Sequence, residues 1–195
     1  MNQTDKEIIM KQKYIFAASA VILSAVACEP SHLEDNLYDP AVYILNHGYQ
    51  KTETFYDVQS SFSADVDAYC GSYYDKNPEV RLVEDDAVLE KHNTDNSDTL
   101  KVLPSDCWSL EASDLEMVDK KARFKVNFNI EALKSLSVEA DYSDLKGYAV
   151  PLRLKSLTDG VNEASQEGLS SVVIVPDMSM MAFSLENSGA SETNL

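Results

Sequence analysis

The sequence has few of the residue types on which catalytic and metal centres depend. It contains three histidines, three cysteines and one tryptophan in 195 residues. The histidines, His32, His47 and His92, form no HExxH zinc motif and no pairing with a cysteine motif. The phosphate-binding patterns GxGxxG and GxxxxGKS/T and the nucleophile pattern GxSxG are missing too. We therefore predict a protein that is not an enzyme, with no catalytic residue, no metal site and no cofactor.

Positive charge is also scarce. Lys and Arg number 16 against 33 Asp and Glu, which gives a formal net charge of −17 at pH 7. Such a chain repels phosphate backbones, and this excludes nucleic acid as a partner. Acidic neighbours such as Glu84 and Asp85 are expected from abundance alone and indicate no glycosidase pair. The polar stretch 92–98 is interpreted as a loop; its acids offer a weak calcium option, because the pattern of an EF-hand is incomplete.

Long hydrophobic runs are limited to one, at residues 14–27, which follows Lys11 and Lys13 and is too short to span a bilayer comfortably. Small residues at Ala25 and Ala27 precede Cys28, as a signal peptidase requires. The segment resembles a bacterial lipobox, although Ala25 stands where Leu is usual, and this resemblance implies that Cys28 is lipidated. The alternative is a plain secretory signal in which Cys28 lies near the cut by coincidence.

The chain divides into four predicted segments. Residues 1–27 are the lipoprotein signal peptide, and 28–40, with two Pro and four acids after Cys28, are a flexible tether. Its acidic cluster resembles a surface-export tag, or is an ordinary solvated linker. Residues 41–176 form the folded domain, and 177–195 are an acidic C-terminal tail.

Alternation of apolar and polar side chains dominates the predicted domain. It is clearest at residues 123–130 and at 148–155, where Pro151 suggests an edge strand or a bulge. Shorter strands are predicted at 42–45, 54–58, 62–69, 80–83, 100–103 and 171–175. Many short strands separated by turn signals favour a mainly β, antiparallel sandwich. Two short crossover helices are predicted, at 85–91 and at 130–136, the second with Asn129 as its N-cap.

The order of these elements resembles a known module. Its anchors are Leu103-Pro104, Trp108-Ser109-Leu110 and residues 148–154. They resemble the N-terminal domain of unknown function found in Bacteroidota-type surface lipoproteins, which also occurs in front of glycan hydrolase or carbohydrate-binding domains. The resemblance implies an immunoglobulin-like β-sandwich and a role in glycan capture or cell-surface assembly.

Two sets of residues remain as candidate features of the domain. Cys70 and Cys107 either form one disulfide, as exported proteins favour, or are two buried free thiols. Tyr73 and Tyr74, near a predicted hairpin tip, either stack on the apolar faces of sugars or are ordinary surface residues, with Tyr69 in the core. Trp108 is expected to anchor the core.

These observations give two hypotheses of function. The first is a lipoprotein anchored to the outer membrane, exposed at the cell surface, that binds or acquires glycans without catalysis. Its partners would be the membrane, through acyl chains on Cys28, and polysaccharide or other surface lipoproteins. The second is a structural adhesin or pilus-like subunit that assembles by addition of strands at sheet edges.

Overall fold

Strands are the main secondary structure, as the alternating pattern predicts. The computed structural model describes residues 40–71, 77–166 and 168–181. Its strands are β1 (Ala41–Ile44), β2 (Gly48–Lys51), β3 (Phe55–Tyr56), β4 (Phe62–Gly71), β5 (Glu79–Glu84), β6 (Lys101–Val102), β7 (Trp108–Leu110), β8 (Asp114–Glu116), β9 (Lys121–Phe128), β10 (Tyr148–Ser156), β11 (Asn162–Glu163), β12 (Ser171–Val175) and β13 (Met178–Ser179). Its helices are α1 (Asp86–Asn96), α2 (Ile130–Leu136) and a 3-10 turn at Ser143–Gly147.

Two sheets pack face to face as a β-sandwich. Sheet A has the order β11-β1-β4-β9-β7, and sheet B has the order β2-β12-β10-β5-β8 with β6 beside β10. The long central pairs are antiparallel, as predicted. The pairs β1–β11, β2–β12 and β6–β10 are parallel, so both sheets are mixed, and β3 and β13 form a separate parallel pair. Crossover segments rather than hairpins bring these parallel partners together.

Sheet B is covered on both faces, and this explains its unbroken apolar runs. In β12, Val172 and Ile174 join the core between the sheets, whereas Val173 and Val175 pack under α1 with Val88 and Leu89. In β10, Val150, Leu152 and Leu154 face the core and Ala149 faces the helix. Strands buried on both faces lose the alternation that marks a strand with one wet face. The helix thus makes a third layer over part of sheet B.

The prediction that Pro151 marks an edge strand or a bulge was wrong. β10 is a central strand that pairs with both β5 and β12, and Pro151 lies opposite Val173. The Pro151 carbonyl accepts a hydrogen bond from the Asp85 backbone N–H at 3.1 Å. In an antiparallel strand the N–H of a residue points to the same side as its carbonyl. An N–H on residue 151 would therefore point toward Asp85, the residue after the end of β5 at Glu84. The hydrogen bonds between β10 and β5 lose nothing by its absence.

Helix α2 has the predicted bounds, and the Asn129 side chain caps it by accepting from the Ala132 backbone N–H at 3.3 Å. Helix α1 is longer than predicted, and the interpretation of 92–98 as a loop was wrong, since residues 92–96 are helical. The acidic side chains of this stretch pair with basic side chains of α1, so they do not form a cation site. Asp95 pairs with Lys91 and Asp98 with His92, each at 3.0 Å.

Cys70 and Cys107 are buried free thiols and form no disulfide in the structure. The Cys70 backbone N–H bonds to Lys120, just before β9, and the Cys107 carbonyl bonds to Asn129, just after it. The length of β9 (Lys121–Phe128) therefore separates the two cysteines, at ~3.3 Å per residue. A disulfide requires Cα atoms within about 7 Å.

The predicted tail contains ordered structure at its start. Strand β13 pairs with β3, and the Asp177 carboxylate lies beneath Lys51 Nζ at 2.8 Å and the Thr54 hydroxyl at 2.7 Å. Burial opposes ionisation of Asp177, but the bonds from Lys51 and Thr54 outweigh it and hold the pKa of that carboxyl below its usual range. None of the helices among the described residues is long and apolar enough to cross a membrane.

Candidate functional site

A pocket of about 250 Å³ lies between α1 and the outer face of sheet B. We call it the helix pocket. It is bounded by residues of β2, α1, β10, β12 and the turn before β12, which are Gly48, Val88, Lys91, His92, Asp95, Asn96, Arg153, Gly168, Ser171, Val172 and Val173. The third layer described above therefore creates the pocket, because α1 covers only part of the sheet.

The floor of the helix pocket is built by a cross-strand pair. Arg153 of β10 lies opposite Ser171 of β12 in the antiparallel register, so their side chains share the outer face of the sheet. Two glycines with positive φ, Gly48 at 79° and Gly168 at 89°, border this floor. Each has open space where a Cβ would project. The pocket is therefore open down to the backbone on that side.

The rim of the helix pocket carries an aromatic pair. The rings of Tyr49 and His92 are stacked, with centroids 5.3 Å apart and planes 13° from parallel. His92 Nε2 lies 3.0 Å from Asp98, and the amide of Asn96 lies 3.2 Å from His92 Nδ1. These contacts hold the imidazole in place, whereas Tyr49 remains 51% exposed. The result is a supported, exposed tyrosine ring next to a polar pocket.

One carboxylate ties the helix to the floor. Asp85 is the N-cap of α1 and accepts from the Ala87 backbone N–H at 3.1 Å. The same side chain accepts from Arg153 Nε. The hydrogen bond from Arg153 lowers the pKa of Asp85 below its usual value, and it outweighs the opposing effect of burial. Asp85 therefore stays ionised at neutral pH and fixes where α1 begins relative to β10.

The residues predicted to act from sequence have different outcomes. Cys28, Tyr73 and Tyr74 lie outside the described residues, so lipidation and sugar stacking at these positions stay predictions. Tyr69 is half-buried on the outer face of sheet A, with its ring 5.5 Å from that of Tyr43, and is not a core residue. Trp108 packs against the core, as expected.

The two free thiols have no features of reactive sites. Burial and the neighbouring Asp106 raise the pKa of the Cys107 thiol to about 11. Burial also raises the pKa of the Cys70 thiol. A thiol is a nucleophile only as the thiolate, so both residues are structural.

Among the described residues there is no group of three or more His, Cys, Asp and Glu side chains placed to hold a metal ion. Six acids and bases do line or support the helix pocket, but they are engaged in pairs: Lys91 with Asp95, His92 with Asp98, and Arg153 with Asp85. No nucleophile with an adjacent base is among these groups. The chemistry that this arrangement offers is ring stacking and hydrogen bonding to a small polar ligand.

Comparison with curated proteins gave no significant match. Several solved structures share the fold. One is a protein of unknown function from Bacteroides ovatus, with a TM-score of 0.54 at 13% identity, covering 70% of this chain and 44% of the other. Another is a two-domain protein of unknown function from Bacteroides fragilis, with a TM-score of 0.50 at 14% identity, covering 76% and 49%.

A third similar structure is EndoBT-3987 of Bacteroides thetaiotaomicron, solved with a Man5GlcNAc product. The TM-score is 0.50 at 13% identity, covering 65% of this chain and 28% of that enzyme. This chain therefore spans less than half the length of each of these three proteins. At such low identity the similarity establishes the fold alone.

A family model described as an N-terminal domain matches residues 38–161. The match covers more than half of the chain and includes the anchors around Trp108 and in β10 that carried the resemblance in the sequence. The chain therefore belongs to this family of N-terminal domains.

Proposed function

We propose that this protein is a non-catalytic module that binds glycans or assists in acquiring them. The observation that carries the proposal is the helix pocket with its exposed Tyr49 ring beside it. Membership of a family of N-terminal domains supports it, as does the similar fold within EndoBT-3987, a protein solved with a glycan product.

The dimensions of the helix pocket suit one sugar residue. Its volume of about 250 Å³ is just below the range of about 300–1,000 Å³ typical of ligand pockets. Ser171 offers a hydroxyl and Asn96 its side-chain carbonyl for sugar hydroxyls, and Tyr49 offers an apolar face for the C–H side of the ring. A longer glycan would extend from the pocket over the tyrosine.

We further propose that the module is held at the outer membrane, exposed on the cell surface, by acyl chains on Cys28. The sequence around Cys28 supports this, and the net charge of −17 repels an anionic lipid surface, so attachment by charge is disfavoured. Two or more acyl chains contribute about 0.8 kcal/mol for each buried CH₂ group and give stable anchoring. Glycan binding at the helix pocket does not depend on this anchor.

The test of glycan binding is a polysaccharide array followed by affinity electrophoresis with the purified full chain. We expect retention by at least one polysaccharide, and Tyr49→Ala should abolish most of it. Tyr56→Ala is the matched control, because Tyr56 is also exposed, at 39%, but lies on β3, outside the helix pocket. Equal retention of the wild type and Tyr49→Ala would place binding elsewhere, and no retention on any polysaccharide would contradict the proposed function.

The alternative function, an adhesin or pilus-like subunit, has no specific structural observation in its favour. Strand addition needs a long exposed edge. Among the described strands, the sheet edges are β2 with four residues, β7 and β8 with three each, and β3, β6, β11 and β13 with two each. Polymers that grow with protein concentration on native gels would revive this alternative.

A further inference from the structure

The three arginines of the chain make different contacts. Arg81 bonds to Asp114 through Nε and Nη2, both at 2.6 Å. Arg123 bonds to Asp67 through Nε and Nη2, at 2.6 and 3.1 Å. Arg153 bonds to Asp85 through Nε alone, and among the described residues its two Nη groups have no hydrogen-bond partner. Among the described contacts, the guanidinium with both Nη groups unused is thus the one that lines the helix pocket.

The surroundings of Arg153 favour an anion. Its cross-strand neighbour Ser171 brings a hydroxyl to the same face, and Lys91 on α1 lines the same pocket. Among the described lining residues Asp95 is the one acid, and Lys91 Nζ lies 3.0 Å from it. The described part of the lining therefore carries more basic than acidic groups, in a chain whose acids outnumber its bases by 33 to 16.

Guanidinium geometry indicates the kind of anion. The two Nη groups present donors in one plane, and a planar carboxylate matches that arrangement with two parallel bonds. The floor next to them is open to the backbone at Gly48 and Gly168. A carboxylate carried by a ring can therefore reach Arg153 while the ring lies along the pocket toward Tyr49.

We propose that the helix pocket selects acidic sugars, and that the Nη edge of Arg153 binds their carboxylate. This inference rests on the proposed glycan-binding function and adds the ligand class. The Ser171 hydroxyl donates a hydrogen bond to the carboxylate, and Tyr49 stacks on the sugar ring. A sulfate ester offers similar oxygens, so sulfated sugars are a second source of the same anionic group.

The first experiment changes the ligand and leaves the protein intact. Isothermal titration calorimetry compares the full chain with galacturonic acid oligomers, the same oligomers as methyl esters, neutral galactose oligomers and sulfated galactose oligomers. A charged hydrogen bond to the carboxylate predicts affinity at least about tenfold higher for the free acid than for its ester. Equal affinity for acid, ester and neutral oligomers would overturn the acidic-sugar inference while leaving glycan binding in place.

The second experiment changes the guanidinium. Arg153→Lys keeps the charge next to Asp85 but removes the planar pair of Nη donors. We expect about a tenfold loss in affinity for the acidic oligomer and a smaller loss for a neutral glycan, which makes no charged bond to the guanidinium. Arg81→Lys, outside the pocket, should change neither. Thermal melting of each variant verifies the fold.

The possible results separate the two proposals. Binding of the acid that Arg153→Lys leaves unaltered in a folded variant would overturn the role of Arg153. Selective binding of sulfated rather than carboxylated oligomers would support the anion site and assign the sulfate as its ligand. Failure of every oligomer to bind, with no retention on the polysaccharide array either, would contradict the proposed function and the inference together.

Discussion

Replacing Asp85 tests how α1 is held over sheet B. The carboxylate has two roles: it caps the helix through the Ala87 N–H, and it pairs with Arg153. Asp85→Ala removes both, whereas Asp85→Asn keeps a good cap, because asparagine accepts the same backbone bond. The two variants therefore separate the capping contribution from the ion pair.

The expected magnitudes follow from the contacts. Loss of an N-cap costs about 1 kcal/mol. The Asp85 and Arg153 side chains are 27% and 31% exposed, so the pair should contribute about 1 kcal/mol, between a surface pair and a buried charged hydrogen bond. We expect Asp85→Asn to lower the free energy of unfolding by about 1 kcal/mol and Asp85→Ala by about 2 kcal/mol.

Urea denaturation at pH 7, followed by circular dichroism, measures both values. With an m-value of about 2 kcal/mol per molar, Asp85→Ala should shift the midpoint down by about 1 M. Because the pKa of Asp85 is lowered in the folded state by the bond from Arg153, its contribution is present above the unfolded pKa. It is lost as the pH falls below about 4 through the folded pKa. The cost of Asp85→Asn should shrink over that range.

Two results would refute this reasoning. If Asp85→Asn were as destabilising as Asp85→Ala, the cap would contribute nothing and the ion pair would carry the whole effect. If both variants unfolded at the wild-type midpoint, Asp85 would not stabilise the attachment of α1, and the helix pocket would not depend on it.

Three further predictions concern the core, the thiols and the anchor. Leu152→Ala removes a fully buried side chain from the centre of sheet B and should lower the free energy of unfolding by about 2–5 kcal/mol. Leu157→Ala, at a side chain 38% exposed, should change it by no more than about 0.5 kcal/mol in the same urea assay. Similar midpoints for the two variants would contradict the packing described. Cys70 and Cys107 should react with iodoacetamide only in denaturant, as measured by mass spectrometry, and reductant should leave the midpoint of urea unfolding unchanged. A disulfide-linked peptide would contradict the separation of the two thiols along β9. Cys28→Ser should move the protein from the membrane fraction to the soluble fraction, because a hydroxyl does not replace the acylated thiol; sedimentation with membranes, or no labelled fatty acid in the wild type, would overturn the lipoprotein proposal.

The parts of the fold with one wet face could be predicted from sequence. In β9 the apolar side chains of the alternating pattern are the buried ones, and the Asn129 cap marks the start of α2. Pro151 gave a wrong prediction because the effect of a proline on strand pairing depends on where the neighbouring strand ends. That position is a property of tertiary structure. Strand β2 was missed because Gly48–Lys51 has no buried side chain, with every position half-buried or exposed, and a strand of this kind is defined by its partner.

The helix pocket could not be predicted, because its parts are distant in sequence. Gly48 and Tyr49 precede β4, α1 follows β5, and the Arg153–Ser171 pair arises only when β10 and β12 align. His92 gave a misleading signal, because the polar residues after it resembled a loop. The one local signal was a tyrosine directly after the turn at His47, and it has meaning only once β2 lies beside β12, where Tyr49 pairs with Val173.

The most direct test of the central claim, glycan binding in the helix pocket, is an NMR titration of the isotope-labelled full chain with the glycan that the array selects. We expect saturable shifts concentrated at the amides of Gly48, His92, Gly168 and Ser171, which surround the pocket. Shifts confined to the outer face of sheet A near Tyr43, with the helix-pocket amides unmoved, would contradict this claim.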